Sequence, residues 1–185
     1  TMGNLHAGHL SLVNEAKKHG DRVVVSIFVN PTQFSEGEDF ERYPRTLEAD
    51  VDALPGAGVD LAFVPTVDEV YPEGNKEETI TAGPVGDLLE GAIRPGHFDA
   101  VVTVCKRLFE MSHADVAVFG EKDAQQLFLV RQMAQTLTPP VRIVGVATVR
   151  DHDGLALSSR NSYLSIEDRQ SALILSHALE VIEQR

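Results

Sequence analysis

The sequence has a single cysteine, Cys105, so no disulfide can close within the chain. That fits a reducing compartment, and the reading is cytoplasmic. Its neighbours Val101, Val102 and Val104 make it a core thiol rather than a nucleophile. No apolar run reaches the ~20 residues that span a bilayer. No signal-peptide pattern is visible, and the chain opens inside a motif. Positive charge is scarce: 16 Lys and Arg stand against 28 Asp and Glu, for a net charge of −12. A surface of that sign repels nucleic acid and anionic membranes, which excludes both as partners. An anion site in such a protein must gather its cations locally, so each Lys, Arg or His beside a glycine loop carries more meaning. Internal repeats and low-complexity segments are also lacking.

What is present begins at once, in Thr1-Met2-Gly3-Asn4-Leu5-His6-Ala7-Gly8-His9. Leu10, Leu12, Val13 and Ala16 follow at helical spacing, so a loop feeds a helix from about His9 to Lys18, with Gly20 as its C-cap. Residues three apart share a helix face, and the free N–H groups and dipole of a helix N-terminus favour an anion. Gly3 and Gly8 let backbone approach a ligand. Two imidazoles there can bond phosphate oxygens and, if protonated, oppose developing charge. The plainer alternative is a pair of capping or surface histidines. Two histidines without a Cys or His cluster are too few ligands for a metal site.

Strands and helices alternate along the rest. Val23–Val29, Val59–Val64, Val116–Phe119 and Val141–Val149 are β-branched runs of the kind buried on both faces of a parallel sheet. A helix from about Thr46 shows Leu47, Val51 and Leu54 on one face and stops at Pro55-Gly56. Others carry Phe98, Val101, Val102, Cys105, Leu108 and Phe109, then Leu127, Val130, Met133, Ala134 and Leu137. Ser35–Pro44 is an acidic, exposed loop, and Gly91–Phe98 a glycine- and proline-bearing loop with a cation and an imidazole. A short strand is expected at Glu78–Thr81. The fold class is α/β, a Rossmann-like doubly wound parallel sheet. It occupies residues 1–149, with one strand expected before Thr1. Residues 150–185 start a smaller C-terminal domain, with Ser165 and Asp168 capping its helix.

Polar groups recur at the carboxyl ends of these strands, where open α/β sheets bind ligands. They are His6 and His9, then Asn30 and Gln33, then Gly120-Glu121-Lys122-Asp123 with Gln126, then Ser158, Ser159 and Arg160. Lys122 and Arg160 can neutralise phosphates, the serines can donate hydroxyl hydrogen bonds, and the glutamine amides can recognise a hydroxyl or carboxylate. Singly, each of these is more often a solvated surface residue, and Asn30 a plain Asn-Pro turn. Their joint placement points to a nucleotide.

MGNLHAGH, FVNPTQF, RPGHFDAV, FGEKDAQQ and LSSRN, in that order, resemble the pantoate–β-alanine ligases (pantothenate synthetases) over nearly the whole chain. HAGH also resembles the wider HxGH nucleotidyltransferases. The resemblance implies ATP-dependent joining of pantoate to β-alanine through pantoyl adenylate, with Mg²⁺ accompanying ATP, in a homodimer. Met2, Gly3, Asn4, Leu5, His6, Ala7, Gly8 and His9 would line the ATP site. His9 would be the proton donor, with His6 assisting at the phosphates and Lys122 and Arg160 opposing charge. Gly120, Glu121, Lys122 and Asp123 would hold the nucleotide, Asp123 at the ribose, and Val149 would touch adenine by backbone. Leu157, Ser158, Ser159 and Arg160 correspond to the phosphate-binding segment. The family pattern has Met where Leu157 stands, and leucine keeps the apolar bulk. Gln33 would contact pantoate and β-alanine, Gln126 pantoate, with Asn30 beside them. Asp50 is a candidate Mg²⁺ ligand, though a solvated helix carboxylate is the plainer reading. Two alternatives remain: another HxGH enzyme such as a phosphopantetheine adenylyltransferase, or a catalytically silent nucleotide-binding module.

Overall fold

Four short strands pair two by two, every pair parallel, in a computed structural model that describes residues 1–72 and 79–183. β1 (Val24–Ser26) pairs with β2 (Leu61–Phe63), and β3 (Val116–Gly120) with β4 (Arg142–Val146). Parallel neighbours need a long crossover. Helix α2 (Leu47–Ala57) supplies the first, and α6 (Ala124–Gln135) the second. The α/β parallel architecture expected from the alternating pattern is present, divided into two pairs. The strands are shorter than the apolar runs that announced them. Ile27 and Phe28 stay buried beyond the end of β1, because an apolar run reports burial while a ladder needs a partner of equal length.

The edge of β1 turned away from β2 is engaged by the first residue. Thr1 donates its amino group to the Ser26 carbonyl at 2.8 Å, and Phe28 N–H donates to the Thr1 carbonyl at 2.9 Å. These are the two bonds of a parallel ladder about Ile27, whose own N–H bonds Phe63 on the other side. A cleft of about 520 Å³ separates β1 from β3.

Helix α1 (Ala7–Ala16) and α2 cover a core of Val13, Val23, Val25, Ile27 and Leu54. A larger core joins α5 (His97–Ser112) to α6 through Phe98, Val102, Leu129 and Val130, each 2% exposed or less. Burying side chains of this size contributes roughly 1.5–3 kcal/mol apiece. Cys105 packs beside Phe28, Val70 and Val104, and burial pushes its thiol up to about 12, as expected of a core thiol.

Several boundaries moved. α1 begins two residues early, because His6 is its cap. It ends at Ala16 with Lys17 in right-handed conformation, so Gly20 is not the C-cap. α2 runs through Pro55-Gly56 and stops at Gly58, which takes φ +77°. Leu54 is buried there, but Leu47 and Val51 are exposed. Among the described residues, the segment between β2 and α5 holds two single-turn α-helices, α3 (Val67–Val70) and α4 (Glu90–Ile93), the latter overlapping the start of the expected loop. The strand expected at Glu78–Thr81 falls partly outside the described residues, and Thr79–Thr81 forms none.

Beyond β4, Arg150 bridges Ala156 and Arg169 binds Asp151 and Asp153, both at 2.8 Å, which ties the turn to α7 (Ile166–Glu183). Ser165 caps that helix as expected, accepting from Asp168 N–H at 3.1 Å. Its Leu175, Leu179 and Ile182 are exposed. No described helix is long and apolar enough to cross a membrane.

Candidate active site

Gly3 (φ +84°) and Asn4 (φ +51°) turn the opening loop through consecutive left-handed conformations. The turn converges the N–H groups of Asn4 and Leu5 on the two oxygens of Asp50, at 2.8 and 2.7 Å. Thr46 donates a third bond at 3.1 Å. Paired amides of this kind make an anion site, and here the protein's own carboxylate fills it. Asp50 is 4% exposed, so it is neither the solvated carboxylate expected nor open to Mg²⁺: its oxygens are committed to the loop. A β-carbon on Gly3 would come within 3.0 Å of Asp50 Oδ2.

The two histidines cap each other's turn. Gly8 N–H donates to His6 Nδ1 at 3.1 Å, and His6 N–H donates to His9 Nδ1 at 3.2 Å. With both Nδ1 atoms accepting, each neutral ring carries its proton on Nε2. Neither Nε2 has a partner among the described residues, and both rings line a cavity of about 350 Å³. Their centroids are 4.1 Å apart. The capping and ligand-facing readings of HxGH therefore hold together: one nitrogen of each ring builds the helix terminus and the other faces the cavity. Gly8 serves the ring rather than the ligand, since a β-carbon there would sit 2.9 Å from His6 Cε1 and Nδ1.

Burial, then the neighbouring His6 imidazole, pushes His9 down to about 3, and burial with the charge of Lys122 lowers His6. Both rings are thus neutral N–H donors at neutral pH. A histidine whose folded pKa lies below its unfolded value stabilises fully above the ordinary value of 6.5. That contribution is lost as pH falls toward about 3. Urea titrations across this window should show the midpoint falling with pH, and His9→Asn should flatten the fall. An unchanged slope would place the titration elsewhere.

The rest of the cavity wall comes from the strand ends. Lys122 pairs with Asp123 at 2.9 Å, so the expected ribose ligand holds the expected phosphate ligand in this state. Met2, Gly120, Gln126, Val149 and Leu157 also line the wall, and Val149 accepts from Leu157 N–H at 2.9 Å. Asn30 is buried and caps a 3-10 turn, Pro31–Gln33. Its Oδ1 accepts from Thr32 and Tyr71, and its Nδ2 donates to Gln33 Oε1 at 3.2 Å, so Asn30 orients Gln33.

The phosphate segment is spent differently from expectation. Ser159 is buried and donates its hydroxyl to the Asn4 carbonyl at 3.1 Å, pinning this segment to the opening loop. The Ser158 hydroxyl accepts from Arg160 N–H at 3.3 Å. Arg160 holds Asp39 with Nε and Nη2, each at 2.8 Å, and lies over Tyr43 at 5.1 Å. Gly3, Asn4, Leu5, Ala7 and Glu121 are not on the cavity wall. Gly3, Asn4 and Leu5 shape the loop behind it instead.

Sequence reasoning missed Asp39, Tyr43, Arg94 and His97. Ser35–Pro44 was expected to be exposed, yet Tyr43 is buried and Asp39 and Glu38 pair with Arg160 and Arg94. The RPGH motif signalled a cation beside an imidazole, but nothing local says that they face Gln33. Among the described residues, one group of three metal-type side chains lies close together, Asp151-His152-Asp153. It is away from the cavity and tied up by Arg169.

A parallel α/β unit with HxGH at a helix N-terminus, facing cations from the later strand ends, is a nucleotidyltransferase-type nucleotide-binding fold. The pantoate-beta-alanine ligase profile matches residues 1–185, and the chain belongs to that family. A pantothenate synthetase of Streptomyces avermitilis is 54% identical over 182 residues, 97% of this chain and 55% of that protein. The crystal structure of pantothenate synthetase from Thermus thermophilus superposes with a TM-score of 0.93 at 55% identity, covering 99% of this chain and 68% of that one. A Francisella tularensis pantoate-beta-alanine ligase, complexed with beta-gamma ATP and beta-alanine, gives 0.89 at 38% identity, over 97% and 69%. The chain thus spans little more than half the length of the Streptomyces relative.

Proposed function

We propose that this chain builds the site in which ATP activates pantoate for condensation with β-alanine. The observation that carries it is the pair of Nε2–H groups of His6 and His9, set by reciprocal caps at the N-terminus of α1 and facing the cavity lined by Lys122 and Arg160. A pantoate carboxylate oxygen attacks the α-phosphorus, and the bond to pyrophosphate breaks. Negative charge grows on the leaving phosphates, where the neutral His9 ring donates a hydrogen bond from its Nε2–H and His6, Lys122 and Arg160 stabilise the rest. The β-alanine amine then attacks the acyl carbon, losing a proton and displacing AMP. No protein nucleophile is needed.

Gln33 and Gln126 supply amides for the organic substrates. Mg²⁺ would supply neutralisation of triphosphate charge and would be held by the triphosphate rather than by these residues. The carboxylates at this site suit that route, since Asp50 binds the loop, Asp39 binds Arg160 and Asp123 binds Lys122. A homodimer, a cytoplasmic location and a second domain opening at residue 150 belong to the same reading. Supporting them are the family match, the single cysteine and the exposed apolar side chains of α7.

Mixing the protein with ATP, Mg²⁺, pantoate and β-alanine should yield AMP, pyrophosphate and pantothenate in equal amounts. ATP binding with no pyrophosphate released would make the chain a silent nucleotide-binding module and end this reading.

A further inference from the structure

Arg94 and His97 border the cavity with no part in the chemistry above. His97 opens α5 and is 8% exposed. Its Nε2 lies 2.9 Å from Arg94 Nη1, and its Nδ1 lies 2.9 Å from the Gln33 carbonyl oxygen. A guanidinium only donates, so Nε2 accepts. The single ring proton therefore sits on Nδ1 and is donated to Gln33. This tautomer is the reverse of that in His6 and His9.

Arg94 Nη2 reaches the same carbonyl at 3.3 Å. Its Nε and Nη2 clamp Glu38 at 2.6 and 2.7 Å, and Nη1 holds Glu90 at 2.7 Å. The charged groups around His97 are thus Arg94, Glu90 and Glu38. Gln33 has its backbone oxygen taken by this pair and its side-chain oxygen taken by Asn30. What remains is its Nε2 amide, which donates one hydrogen bond to Met2 Sδ at 3.1 Å on the cavity wall and keeps a second N–H.

We infer that Arg94 and His97 are positioning residues for Gln33. They fix its carbonyl so that its amide donors stay turned toward an oxygen acceptor of the organic acid substrate. Through Glu38, Arg94 ties that anchor to the loop whose Asp39 holds Arg160. One substrate-facing amide and one phosphate-facing cation thereby share a support. The inference rests on the assignment of Gln33 to pantoate.

The test uses the full natural chain. His97→Leu removes the donor, whereas His97→Asn keeps one near the Nδ1 position. His97→Leu should raise KM for pantoate about 10–100-fold, the range for a lost hydrogen bond plus misplacement of the group it held. kcat and KM for ATP should stay within about 3-fold, by the same logic of uniform binding. His97→Asn should recover most of the loss. Arg94→Lys should not, because one ammonium cannot serve Glu38, Glu90 and His97 together.

Equal KM for the Leu and Asn variants, or a loss confined to ATP, would overturn the inference. So would a ¹⁵N ring spectrum of His97 showing the Nε2–H tautomer or an imidazolium at neutral pH. That spectrum needs no turnover. A wild-type protein that makes no pantothenate would instead sink the proposed function.

Discussion

His9→Ala is expected to slow pyrophosphate release from ATP and pantoate by about 10²–10³-fold, the scale for removing one preorganised hydrogen-bond donor from developing negative charge. The substitution removes two things at once. The His9 Nδ1 atom caps the His6 N–H at 3.2 Å, and losing a cap costs about 1 kcal/mol. The Nε2–H faces the cavity, and its loss bears on the leaving phosphates. His9→Asn separates the two, because its oxygen can take over the cap while nothing replaces the Nε2 donor. The expected result is a His9→Asn protein near wild-type stability with the rate still depressed. If His9→Asn restored the rate, the histidine would be a cap and the hydrogen bond to the leaving phosphates would come from elsewhere.

Asp50→Ala should cost about 3 kcal/mol of stability, since it strips the partner from two backbone N–H groups at a buried site. In urea the midpoint should fall by about 1–2 M. ATP binding should suffer as well, because the loop that Asp50 closes carries His6 and His9 into place. Asp50→Asn should recover little: its amide can accept from one of the two N–H groups but presents its own N–H to the other. Excess Mg²⁺ separates this role from metal ligation. A loop-closing carboxylate gives a defect that added Mg²⁺ does not repair, whereas repair by Mg²⁺ would return Asp50 to the metal.

The architecture was legible wherever the deciding interaction was local or periodic. Strand and helix alternated in the apolar pattern, and α5 and α6 were foreseen from spacing alone. HxGH was legible as a helix N-terminus, because the caps lie three residues apart. Gly58 was harder to see, since Pro55-Gly56 looked like an ending and the left-handed stop came two residues later. The strand ends were named in sequence, and parallel pairing did bring Lys122, Gln126, Ser158 and Arg160 to one cavity.

What the sequence by itself determined is therefore the class of fold and the family, since each is written in periodicity or in short contiguous motifs. The tertiary structure alone decided how the polar groups are spent. Asp50 looks like any helix carboxylate until the loop 46 positions earlier closes on it. Ser159 looks like a phosphate donor until it meets the Asn4 carbonyl. Asp39 looks solvated until Arg160, 121 residues away, arrives beside it. The proton of His97 was equally unreadable, because its tautomer follows from a guanidinium on one side and a distant carbonyl on the other. A hydrogen bond is a relation between two groups, and when they are far apart in the chain only the fold selects the pair.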